Sequence, residues 1–102
     1  MAELIWTEPA LADLGELAEY IALDNASAAK AFVQAVLSAV ERLAQFPESE
    51  RTPPELPQLG YREVIVPPCR VFYKVAGDSV LLLFVLREER DLRNFMLSLG
   101  DN

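Results

Sequence analysis

The stretch Val75-Ala76-Gly77-Asp78-Ser79-Val80 stands between two apolar runs, RVFYKV before it and VLLLFVLR after it. A two-residue turn with glycine first suits type II′, whose twist matches that of paired strands. That turn predicts a hairpin with Val75 opposite Val80, Tyr73 opposite Leu82, Val71 opposite Phe84, Phe72 opposite Leu83 and Arg70 opposite Val85. GYREVIV precedes it, so an antiparallel meander of three strands is expected near 61–66, 70–76 and 79–87. Pro67-Pro68 separates the first two. Proline's fixed φ denies a primed turn, so a wider loop over 67–70 is expected there.

Alternation then sorts the faces. Arg62, Val64, Val66, Val71, Tyr73, Val75, Val80, Leu82 and Phe84 share the side expected to meet the core. Tyr61, Glu63, Ile65, Arg70, Phe72, Lys74, Leu81, Leu83, Val85 and Arg87 share the other. That side sets cations among aromatic and aliphatic groups, the composition of a binding surface rather than of a dry core.

Upstream, AELIW reads as a first strand, and Thr7 with Pro9 reads as a helix start. Leu11, Leu14, Ala18 and Ile21 recur at helical spacing, with Asp13, Glu16 and Glu19 outward. The pattern breaks at LDNAS, where Asn25 or Ser27 caps a second helix. Its stripe is Ala29, Phe32, Val33, Val36, Val40 and Leu43, and it stops at Phe46-Pro47. So tight a junction predicts an antiparallel helical hairpin against the sheet, with Trp6 in the core. The proline-rich PESERTPPELPQLG reads as a connector. RDLRNFMLSL reads as a short closing helix with Leu92, Phe95 and Met96 against the sheet. The whole is one α+β domain over 1–102.

Several chemistries are excluded by residue type. There is no histidine, the commonest general base and metal ligand, and one cysteine, Cys69, expected to be inert. No phosphate loop, Ser/His/Asp set or metal spacing occurs, so neither cofactor nor metal is expected. Residues 1–59 hold three basic and ten acidic side chains, whereas 60–93 hold six and five. A net charge of −7 argues against nonspecific nucleic-acid binding, and confines any anion contact to the C-terminal half. No run reaches the ~20 apolar residues of a membrane span. The start lacks a basic signal-peptide region, so a cytoplasmic location away from membranes is expected.

The order of elements, together with WTEPALADLGELAEYIALDNASAAKAFVQAV, LAQFPESERTPPEL and GYREVIVPPCRVFYKVAGDSVLLLFVLREERDL, resembles toxins of the RelE/ParE superfamily. GYRE, RVFYKV and the RD after the last strand carry the likeness, which covers nearly the whole chain. It implies the toxin of a type II toxin–antitoxin (plasmid stabilisation) pair, held inactive by a cognate antitoxin and meeting operator DNA only through it. Two mechanisms come with the resemblance. ParE-like members inhibit DNA gyrase, which needs binding and no catalytic group. RelE-like members cleave messenger RNA on the ribosome, which needs cations and proton-transfer groups.

For cleavage, the resemblance offers Arg70, with Arg87 or Arg90, as cations; in place of the family's proton-transfer groups this chain has Glu55 or Glu63 to serve as base and Tyr61 or Tyr73 as acid. The loop lysines and the C-terminal tyrosine of RelE-like members are absent, and Phe95 falls near the tyrosine's position. ParE-like gyrase inhibition is therefore the first expectation, with Tyr61, Arg62, Arg70, Phe72, Lys74 and Arg87 as residues that bind target or antitoxin. RelE-like cleavage is the alternative, and a degenerate, non-toxic interaction protein is the third. Arg62 also suits a structural role, and Lys74 that of a snorkelling surface lysine.

Overall fold

The structure, a computed structural model, describes residues 1–99. Its elements are β1 (Glu3–Trp6), α1 (Glu8–Asp24), α2 (Ala26–Gln45), a 3₁₀ turn (Pro57–Leu59), β2 (Arg62–Val66), β3 (Cys69–Ala76), β4 (Ser79–Arg87) and α3 (Leu92–Leu99). Thr7 caps α1 by accepting from the Ala10 N–H. Its hydroxyl also donates to the Leu82 carbonyl at 2.7 Å, which pins the helix start to β4. Asn25 alone joins the helices. Its N–H donates to the Ile21 carbonyl of α1, and its side chain accepts from Ala28 of α2. On α1 the buried positions are Ala10 and Leu14, while Leu11, expected inward, is 53% exposed.

The sheet has four strands, in the order β1-β4-β3-β2. The antiparallel meander is joined by β1, which runs parallel to β4 with Leu4 beside Val80 and Trp6 beside Leu82. Gly77 has φ +59°, and no other non-terminal turn residue before Ser79 has positive φ, as a type II′ turn requires. The β2–β3 connection is tighter than expected: Val66 pairs with Cys69 around Pro67-Pro68 alone. The peptide between the prolines is cis.

The hairpin register holds from Val75/Val80 to Tyr73/Leu82 and then shifts. Phe72 pairs with Phe84, Val71 with Val85, Arg70 with Leu86 and Cys69 with Arg87, leaving Leu83 as a β-bulge. The Asp13 carboxylate on α1 accepts from the Val85 N–H at 3.0 Å, just past the bulge. The extra residue exchanges the faces beyond it. Val85 therefore lies in the core under the helices, and Phe84 lies with Phe72, Leu86 and Leu92 on the opposite side. The main core joins Phe32, Val36, Val40 and Leu43 of α2 to Val71, Tyr73 and Leu82, with Trp6 partly buried against it. The smaller cluster under α3 includes Phe95 and Met96, and Phe84 meets Phe95 edge-on at 5.0 Å.

Candidate functional site

Arg70 points away from the helical hairpin, where β2, β3, the 46–61 loop and α3 converge. It is 5% exposed, and its neighbour Glu63 on β2 is 0% exposed. One guanidinium nitrogen donates to Glu63 and to Glu55, each at 3.0 Å. The other donates to Glu55 at 2.8 Å and to the Arg90 carbonyl at 2.6 Å. Arg51 closes the network by pairing with the second Glu63 oxygen, and its carbonyl accepts from the Glu63 N–H. The Arg70 guanidinium carbon sits over the Phe72 ring, 4.9 Å from its centroid.

Glu55 is the joint of this assembly. Its carboxylate also accepts from the Leu92 N–H at 3.1 Å, at the start of α3, and its carbonyl accepts from Arg93 at 2.6 Å. Hydrogen bonds from Arg70 pull its pKa down to about 2. A carboxylate that weakly basic is a poor proton acceptor. The Tyr73 hydroxyl donates to the Pro47 carbonyl at 2.9 Å, and burial pushes its pKa up to about 12. Burial likewise raises the Cys69 thiol to about 11.

Apart from Phe72 beneath it, the remaining side chains singled out in the sequence are not assembled around Arg70. Arg62 donates to the Glu48 and Glu50 carbonyls, fastening the loop to β2. Tyr61 is half-buried ahead of that strand, and Lys74 is exposed near the hairpin turn. Phe72 is wholly buried. Half of the face expected as a binding surface is thus roofed by α3 and the loop, while Lys74 and half-buried Leu81 stay open beside Ile5.

The guanidinium groups of Arg87 and Arg90 lie elsewhere. The bulge turns Arg87 toward α1, where its guanidinium sits 5.3 Å over the Tyr20 ring and its Nε pairs with Glu89 at 2.6 Å. This corrects its expected place beside Arg70. Arg90 stacks on Phe95 at 5.4 Å. Both line a cleft of about 270 Å³ with Asp13, Glu16, Leu17 and Tyr20. Reading the sequence missed Tyr20, although Asp13, Glu16 or Leu17, and Tyr20 recur along one side of α1 and mark a second stripe.

Comparison with known proteins decides the family. The family described as "ParE toxin of type II toxin-antitoxin system, parDE" matches residues 4–92. The chain belongs to the ParE toxin family. This toxin is 34% identical over 91 residues to Toxin RelE2 of Caulobacter vibrioides, a match covering 88% of this chain and 99% of that protein. Its fold matches a chain from the chromosomal ParDE TA system of P. aeruginosa with a TM-score of 0.72 and 26% identity, covering 87% of this chain and 98% of the other. It is a type II toxin–antitoxin toxin with the RelE/ParE fold, and the family implies a cognate antitoxin as its partner. Among the described residues of this ParE-family toxin, no helix is long and apolar enough to cross a membrane.

Proposed function

We propose that this chain is a ParE-like toxin that arrests growth in the cytoplasm by binding DNA gyrase. The observation that carries this reading is the enclosure of Arg70 by Glu55 and Glu63. A cation that must stabilise a charged phosphorane needs donors aimed at the reacting phosphate. Here the terminal nitrogens of Arg70 are taken by two carboxylates and a carbonyl. Glu55 and Tyr73, with their shifted pKa values, are also poorly matched to proton transfer at neutral pH. Inhibition by binding requires none of these groups. The open part of the sheet face around Lys74, Leu81 and Ile5, and the Arg87–Arg90 cleft, supply contact surface for such a partner.

The test is to incubate purified, folded protein with gyrase, supercoiled plasmid and ATP. Linear DNA that rises with toxin dose after detergent and protease supports the reading. Plasmid left wholly supercoiled or relaxed at saturating toxin refutes it. Ribosome-dependent cleavage of messenger RNA is the second reading. It is favoured by the likeness to Toxin RelE2 and by the open guanidinium groups of Arg87 and Arg90.

A further inference from the structure

Arg70, Arg51, Arg62 and Arg93 are bonded within the protein, but Arg90 is not. Its guanidinium has no hydrogen-bond or ion-pair partner among the described residues; it rests on the Phe95 ring and feels the Asp13 carboxylate in the same cleft through Coulombic attraction alone. Arg87, 46% exposed, gives Nε to Glu89 and rests on Tyr20. Both groups border the same cleft, whose floor is Leu17, Val85, Leu86 and Phe95. Stacking on a ring holds a guanidinium plane still while leaving its edge open, so the donors are arranged before any ligand arrives.

We propose that this cleft is a docking site for one carboxylate side chain of the antitoxin, seated between Arg87 and Arg90, with a neighbouring aliphatic side chain on the apolar floor. The cleft, about 270 Å³, is large enough for a carboxylate side chain and one aliphatic neighbour. The planar fork of arginine matches a carboxylate in two-point contact. The surroundings argue against a polyanion. α1, which forms one wall, carries Glu8, Asp13, Glu16, Glu19 and Asp24 and no basic residue. A nucleic-acid strand would lay its further phosphates along the whole acidic wall, whereas a single carboxylate on an otherwise apolar segment meets only Asp13 and Glu16 of it, opposite the two guanidinium groups. The inference rests on family membership and is independent of which target the toxin has.

The test is the affinity of the full-length toxin for its cognate antitoxin, measured by calorimetry for wild type, Arg90→Glu, Arg90→Gln and Arg87→Glu. Thermal unfolding is followed to confirm that each variant folds. Each Asp and Glu of the antitoxin is then changed to its amide in turn. Charge reversal is expected to weaken binding about tenfold or more, Arg90→Gln less, and one antitoxin position should lose its effect in the Arg90→Gln background. Affinities within about twofold of wild type in every folded variant would overturn the proposal. So would binding of a labelled single-stranded RNA that is abolished by Arg90→Gln while antitoxin affinity is unchanged.

Discussion

Removing Arg70 leaves Glu63, which has no exposed surface, facing Arg51 alone. A buried carboxylate stripped of one partner costs about 3–5 kcal/mol, whereas the Arg87–Glu89 pair lies in solvent and contributes little. Arg70→Met should therefore lower the urea midpoint sharply, whereas Arg87→Met should shift it little. Acid provides a second check. The folded pKa of Glu55 lies below its ordinary value, near 2 instead of 4.5. Its contribution is thus complete above pH 4.5 and is lost as pH falls from there toward 2. Asp13 acts in the opposite sense. Burial raises its pKa, so its protonation on acidification favours the fold. Glu55→Gln should flatten the fall in stability across that window, as read by fluorescence at graded pH. None of this pairing was legible in the sequence. Glu55 lies fifteen residues from Arg70 in a proline-rich loop with no periodicity to place it.

At the scale of elements, two glycines with opposite roles offer tests. Gly77 sits at φ +59°, where a side chain is strained, so Gly77→Ala should destabilise the hairpin by about 1–2 kcal/mol. Gly15 lies mid-helix on exposed α1, and a Cβ there would meet nothing within 4 Å. Gly15→Ala should raise stability by about 0.5–1 kcal/mol, measured by chemical denaturation. The boundaries of the elements were legible because local chemistry marks them: Thr7 and Asn25 as caps, Gly77 as turn, Pro47 after the second helix. The bulge at Leu83 was not. VLLLFVLR is apolar at nearly every position, so an added residue breaks no alternation that could be seen. That single residue moves Val85 into the core and carries Arg87 to the α1 side.

Taken whole, the molecule is a sheet covered on one face by α1 and α2 and over part of the other by α3 and the loop. Its fold followed from helix stripes and paired runs. The distribution of its arginines did not, because four segments distant in the chain converge on Arg70 while α1 and β4 form the cleft. Enclosure of Arg70 by Glu55 and Glu63 is what favours a toxin that acts by contact. The most direct measurement gives one preparation of folded protein to two reactions, gyrase with supercoiled plasmid and ATP, and ribosomes programmed with message. Linear plasmid beside intact message is the predicted result. Message cut at codon positions beside intact plasmid would contradict it.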